Sequence, residues 1–197
     1  LLDAGIPIHP LFDAPADRTA ARGEMGLSEG EAVVLLTGGS RGLGRIEESA
    51  VALLSGAARA RLIIVCGANE ALHGRLRGRF ANDSRVLLFA AVEPERMKRL
   101  MAAADLMVGK AGGLTSAECL TLELPMVLLD PIAGQEQANA AFLIKAGAAV
   151  LAESPERLPD LLAALLAPRR QSELRAAARS LGRPDAGRRT LEAILAS

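Results

Sequence analysis

Ala32-Val33-Val34-Leu35-Leu36-Thr37-Gly38-Gly39-Ser40-Arg41-Gly42-Leu43-Gly44 is the stretch that decides the fold. An unbroken apolar run enters a glycine-rich turn, and residues 45–57 then read as a helix. A run apolar at every position suits a strand covered on both faces, as in parallel sheets. The alternation repeats outward from there. Residues 61–67 hold Leu62-Ile63-Ile64-Val65-Cys66, followed by a helix over 70–80. A third buried strand is expected over 84–90, with a helix over 94–104 that carries Met97, Leu100, Met101 and Ala104 at helical spacing. A short strand at 106–108, a helix at 116–123, a strand at 126–129, a helix at 136–146 and a strand at 148–151 continue the rhythm. Three helices close the chain, over 158–166, 171–181 and 186–195.

Short buried strands alternating with helices mean parallel βαβ units with helices on both sheet faces. The expected fold is therefore α/β, a doubly wound parallel sheet of Rossmann-like type, in one domain over residues 31–197. Residues 1–30 break the rhythm and read as an interdomain linker or entry segment, such as an entry strand. In such sheets ligands sit beyond the carboxyl ends of the strands. Every unusual motif in this sequence falls on a strand-to-helix turn, which is that edge.

The chain has 197 residues, 50% of them hydrophobic, with 23 basic and 23 acidic side chains. Four Phe, no Tyr and no Trp leave no stacking platform, and the charge balance leaves no basic stripe, so nucleic acid is set aside. No apolar run approaches the roughly 18 residues of a transmembrane helix. Cys66 and Cys119 lack ligand-type companions at metal spacing and read as small core residues, which fits a reducing cytosol. His9 and His73 stand alone. No Ser-His-Asp, Cys-His or paired-carboxylate set is visible, so no catalytic residue and no metal site is expected. The absence of an initiator Met suggests a piece cut from a longer chain.

Glycines let backbone approach an anion, and amides at a helix start point towards it. Gly38, Gly39, Ser40 and Gly42 in the first turn fit that use, though a tight turn with no ligand would read the same. Gly39 and Gly44 have Walker A spacing, but Arg45-Ile46 stand where Lys and a hydroxyl are required. The dinucleotide fingerprint fails too, because Glu47 replaces its last glycine and no acid follows at the proper distance, so NAD is not expected.

The second motif is Lys110-Ala111-Gly112-Gly113-Leu114-Thr115-Ser116-Ala117-Glu118. Thr115 and Glu118 have capping-box spacing, which would give Glu118 a purely structural task. Equally, Glu118 would accept hydrogen bonds from ribose hydroxyls. Lys110 either neutralises a phosphate or lies along a strand end. The third motif, Pro131 through Asn139, places Gln135 and Asn139 four apart on one helix face, where amides suit a hydroxyl-rich ligand. A solvated first turn is the plain alternative. Gly67-Ala68-Asn69 ends the second strand, and Val92 with Met97 would offer apolar walls to a base.

Together these turns resemble the C-terminal half of the monogalactosyldiacylglycerol synthases and bacterial processive diacylglycerol glucosyltransferases, relatives of the lipid-II N-acetylglucosamine transferase. The likeness rests on Gly5-Ile6-Pro7-Ile8, Gly38-Gly39, residues 65–69, and above all Lys110 through Glu118 paired with Gly134-Gln135-Glu136 and Asn139. It implies the donor domain of a GT-B glycosyltransferase that binds a UDP-sugar as substrate, without a cofactor or obligatory metal. On that resemblance the Gly38–Ser40 turn and the helix start at Gly113, Leu114 and Thr115 face the diphosphate, and Gly112 belongs to the same binding turn. Glu118 holds the ribose, Gln135, Glu136 and Asn139 touch the sugar, and Val92 covers uracil. Gly112-Gly113-Leu114-Thr115 is nearer the bacterial glucosyltransferase version, which points to UDP-glucose. The lipid acceptor and the catalytic base would belong to an N-terminal domain outside this chain, and the whole protein would be cytoplasmic and membrane-associated. Other readings are a donor subunit with a separate partner chain, a nucleotide-sugar 2-epimerase domain, and a non-catalytic nucleotide-binding module.

Overall fold

The computed structural model describes residues 5–56 and 59–196. A 3-10 turn over Pro10–Asp13 and α1 (Arg18–Glu24) precede β1 (Ala32–Thr37). Then follow α2 (Ile46–Ser55), β2 (Ala60–Val65), α3 (Glu70–Arg79), β3 (Val86–Phe89), α4 (Pro94–Ala103), β4 (Leu106–Gly109) and α5 (Gly113–Thr121). The chain continues through β5 (Met126–Leu129), α6 (Gln135–Lys145), β6 (Ala149–Ala152), α7 (Leu158–Leu165), α8 (Pro168–Leu181) and α9 (Ala186–Leu195). The helix end expected at Ala57 lies outside the described residues.

The strands form one sheet in the order β3-β2-β1-β4-β5-β6, and every neighbouring pair is parallel. This is the doubly wound arrangement that the alternation implied. Crossovers between parallel strands are right-handed, so the direction of each step fixes the face its helix covers. Steps from β1 out to β2 and β3 put α2 and α3 on one face. The jump back to β4, and the steps to β5 and β6, put α4, α5 and α6 on the other.

Two cores record this split. Val34, Leu36, Leu62, Ile64, Val108 and Val127 pack with Ile46, Leu53, Leu72 and Leu76, and Leu158 and Leu162 of α7 close that layer. Val33, Leu35, Ile63, Val65, Met107 and Leu128 pack with Leu100, Met101, Cys119, Ala140 and Leu143 on the opposite side. Alternate residues of one strand thus serve different layers, which is why β1 is apolar at every position from Ala32 to Leu36.

Three expectations change. β3 is not buried on both faces: all four of its residues are only half-buried, because it is an outer strand with a neighbour on one side. The helix expected from residue 116 begins at Gly113. The described part of the entry segment forms a 3-10 turn and α1, not an entry strand. Phe12, Ala21 and Leu27 enter the core, and the Lys98 ammonium of α4 donates to the carbonyls of Leu11 and Ala14, each at 2.7 Å. Its few apolar residues are spaced to cover α4 rather than to build a strand.

Candidate functional site

At the carboxyl edge of the sheet, β1 and β4 lie side by side with Thr37 opposite Gly109. Their chains then diverge to opposite faces, into α2 and α5. A crevice must open where neighbouring strands part in this way.

The turn after β1 is held by its own backbone. Leu43 donates to the Gly38 carbonyl at 3.1 Å and Gly42 to that of Gly39 at 3.0 Å, while the Gly39 amide donates to the Thr37 hydroxyl at 3.2 Å. It is also locked to the end of β2. A Cβ on Gly42 would stand 1.9 Å from the Cys66 carbonyl oxygen, and one on Gly67 2.4 Å from that of Ser40. Asn69 completes the lock by donating to the Gly42 carbonyl at 3.1 Å and accepting from the Leu72 amide at 3.0 Å, which caps α3. Gly42, Gly67 and Asn69 therefore shape and brace the first turn. Gly42→Ala should cost about 2–4 kcal/mol of stability, from overpacking plus a positive φ. Gly39→Ala meets open space and should cost only about 1 kcal/mol. Urea unfolding of both variants compares them, and equal losses would refute the interlock.

Helix α5 starts on Gly112, whose extended backbone serves as the N-cap with no side-chain bond. The capping box expected between Thr115 and Glu118 does not form. Thr115 already lies in the first turn, so its hydroxyl is not where a cap must be. The first amides of α5, on Gly113, Leu114 and Thr115, have no carbonyl partner within the helix. Helix α6 repeats the situation: Gly134 caps it at φ 96° without a side chain, leaving the Gln135 and Glu136 amides open.

These parts enclose a hollow of about 270 Å³, bounded by the turn after β1, Lys110, the start of α5, Ile132 and Glu136. Gly38, Gly39, Ser40, Gly112, Gly113, Leu114, Thr115 and Glu136 all line it. Lys110 Nζ is 3.7 Å from Glu136 Oε2, and the same carboxylate oxygen accepts from the Ile132 amide at 3.0 Å. Gln135 stands at the edge, its amide nitrogen 3.8 Å from where a Gly113 Cβ would be.

Other expected residues stand outside these walls. Asn139 donates to the Ala111 carbonyl at 2.9 Å and so supports the second turn from behind. Val92 and Met97 pack as partly buried side chains against the core. Glu118, one helical turn beyond Thr115, is half-buried, and burial pushes its carboxyl up from 4.5 to about 7. Among the described residues its carboxylate has no hydrogen bond or ion pair, while its backbone carbonyl accepts from the Leu122 amide at 3.0 Å. Burial also holds the Cys66 thiol at about 11 and raises Cys119 further beside Glu118, so both thiols are buried and unreactive.

Thr37, Arg41, Leu43 and Ile132 also line the hollow, although nothing in the sequence singled them out for binding. Leu114 and Ile132 form an exposed apolar lip. Thr37 had one available signal, a hydroxyl ending an otherwise apolar strand. Two other depressions lack the chemistry. A broad groove of about 870 Å³ between α2 and α3 is lined by Glu47 paired with Arg75 and Arg79, and one of about 390 Å³ between α5 and α6 is mainly apolar. Among the described residues, only the crevice between the β1 and β4 turns unites strand ends with the uncapped starts of α5 and α6.

A doubly wound sheet with open amides at its switch point belongs to the class of α/β domains that place ligands beyond the carboxyl ends of the strands. Within that class, the chain belongs to the glycosyltransferase family 28 C-terminal domain family, whose profile matches residues 33–189. The chain is 32% identical over 162 residues to the processive diacylglycerol beta-glucosyltransferase of Staphylococcus saprophyticus, covering 82% of this chain and 41% of that protein. It is 34% identical over 194 residues to a probable chloroplastic monogalactosyldiacylglycerol synthase of Nicotiana tabacum, covering 92% of this chain and 35% of that protein. The chain therefore spans well under half the length of either relative. The crystal structure of Acinetobacter baumannii MurG superposes with a TM-score of 0.71 at 23% identity, covering 94% of this chain and 55% of that one. The fold is the Rossmann-like domain of the GT-B glycosyltransferases.

Proposed function

We propose that this domain holds the nucleotide-sugar donor, a UDP-hexose, of an inverting glycosyltransferase whose acceptor is a lipid such as diacylglycerol. The observation that carries the reading is the meeting of two uncapped helix starts and Lys110 on one hollow at the sheet's switch point. Helix-start amides and a cation suit a diphosphate and need no metal to do so. Glu136 and Gln135 at the mouth suit sugar hydroxyls, and the Glu118 carboxylate, lacking a protein partner, suits ribose. Diacylglycerol is the lipid in the names of both sequence relatives, and the shared family is a transferase one, which favours transfer over epimerisation.

In the proposed reaction a lipid hydroxyl attacks the anomeric carbon, the bond to the diphosphate breaks, and UDP leaves. Amides near Gly113–Thr115 stabilise the charge that develops on the leaving oxygens, as fixed dipoles do without reorganising. Removal of the acceptor proton is assigned to a part of the enzyme outside this chain. The proposed contact with lipid is peripheral; no helix among the described residues is long and apolar enough to cross a membrane.

Calorimetric titration of this chain with UDP, UDP-glucose and UDP-galactose tests the reading. Saturable heat from all three is expected, with turnover by none of them in the presence of diacylglycerol. Silence with every nucleoside diphosphate would remove the donor assignment.

A further inference from the structure

We propose that Glu136 restrains Lys110, the cation of this diphosphate site, so that any diphosphate must separate the pair and only a ligand that also carries a sugar compensates the carboxylate left behind. This rests on the donor reading above and adds how the site tells a loaded donor from free nucleotide.

Lys110 and Arg41 are the cations among the lining residues. Arg41 is exposed on the first turn, whereas Lys110 has a side chain only 14% exposed. Its stem passes the first turn, with Cε 3.5 Å from where a Gly44 Cβ would stand, and its ammonium lies 3.7 Å from Glu136. It therefore spans the gap between the glycine turn and the start of α6, across the mouth of the hollow.

The two partners are not equally tied. Glu136 Oε2 is also fixed by the Ile132 amide, so the carboxylate stays in place when the ammonium leaves. The ammonium is a compact charge on a flexible stem and is the member free to move. A diphosphate in the hollow carries more charge than one carboxylate and draws Lys110 inward. That exchange leaves Glu136 as an acceptor-only group beside an anion. Free nucleoside diphosphate leaves this carboxylate uncompensated, whereas a hexose brings hydroxyl donors to it. The pair thus penalises the nucleotide alone and spares the nucleotide sugar. A ligand shifts such an equilibrium only through contacts that differ between the two states, and here those contacts are the hydroxyls.

The experiment is a cycle of Lys110→Met, Glu136→Gln and the double variant in the 197-residue chain, titrated with UDP and with UDP-glucose. Melting curves check the fold of each. Glu136→Gln should tighten UDP about twofold to fivefold, the range that release from a partly exposed ion pair supports, and should not tighten UDP-glucose. Lys110→Met should weaken UDP about tenfold or more and flatten its salt dependence, because charge-assisted contacts are lost. In the double variant the gain from Glu136→Gln should vanish, since no cation remains to be released. Lys110→Arg keeps the charge and should retain UDP within about threefold. Should Lys110→Met fail to fold, Glu136→Gln alone decides, and looser UDP binding overturns the proposal. Unchanged UDP binding by a folded Lys110→Met overturns it too while leaving the donor reading intact. No nucleotide binding by the unaltered chain takes down the donor reading, and this inference with it.

Discussion

UDP-glucose, whose diphosphate diester does not titrate in this range, should lose about tenfold in affinity for each pH unit below 7 and level off above it, with Glu118 as the titrating group. Burial raises this carboxyl from 4.5 to about 7. In the proposed site it accepts from ribose hydroxyls, so the ionised form binds better, and protonation below that value competes with binding. Glu118→Gln should bind about tenfold to a hundredfold more weakly at pH 8, the loss expected for hydrogen bonds to a charged acceptor, and its pH profile should be flat. The effect on stability runs the opposite way. The folded pKa lies above the unfolded one, so nothing is lost below pH 4.5, where both states are protonated. Destabilisation builds as pH rises from 4.5, where the unfolded carboxyl ionises first, and is complete above about 7. With allowance for solvent screening, Glu118→Gln should stabilise the fold at pH 8 by about 1–2 kcal/mol and change little at pH 4. Calorimetry from pH 5.5 to 8, paired with urea melts, measures both sides. A flat profile for the unaltered chain, or a slope that survives the substitution, would refute the role given to Glu118.

Asp105→Ala should be the most destabilising single change away from the rim. Asp105 immediately precedes β4, at the opposite end of the sheet from the hollow, and is 8% exposed. One carboxylate oxygen receives Arg18 at 2.6 Å and Gln171 at 3.3 Å, with Arg175 at 3.8 Å. The other receives the Val33 amide at 2.8 Å and faces Arg22 at 3.6 Å. Arg22 is 1% exposed and also donates to the carbonyls of Ala103, Ser28 and Glu31. Removing the carboxylate strands a buried guanidinium and a buried amide. Breaking a buried pair from one side costs about 3–5 kcal/mol, which in a domain of this size lowers Tm by on the order of 10 °C. UDP affinity should be unchanged in the folded variant, because the hollow is at the other edge. A loss below about 1 kcal/mol in urea unfolding, or a large change in affinity, would contradict this account.

The sequence revealed layers well and neighbours poorly. The limits of β5 and α9 agree with the periodicity, because each element has a clear apolar pattern and a clear stop. β3 was misjudged because Val86-Leu87-Leu88-Phe89 is as apolar as an inner strand. Apolar character shows that a strand is covered, not that it has a partner on each side. The start of α5 was misread because Thr115 and Glu118 imitate a capping pair. An extended Gly112 lets the helix begin earlier and overrides them. The contacts around Asp105 join Arg18, Arg22, Val33 and Gln171, all more than sixty positions away in sequence, so no local pattern announces them. At the rim, the glycine turns were legible because special backbone shapes leave a compositional trace. Which of their residues face inward depended on how turns from different strands interlock. Asn69 and Asn139 accordingly brace backbone, while Arg41 and Ile132 line the hollow.

The glycine beginnings of α5 and α6 make these helices structurally incomplete. Where Ser or Asp would bond the first amides from within, Gly112 and Gly134 offer nothing, so in the proposed site a bound anion would take the place of a missing residue. The empty domain should then loosen first at these two openings. Occupancy would finish the secondary structure as well as fill the cleft, and amide exchange there would report the presence of the nucleotide.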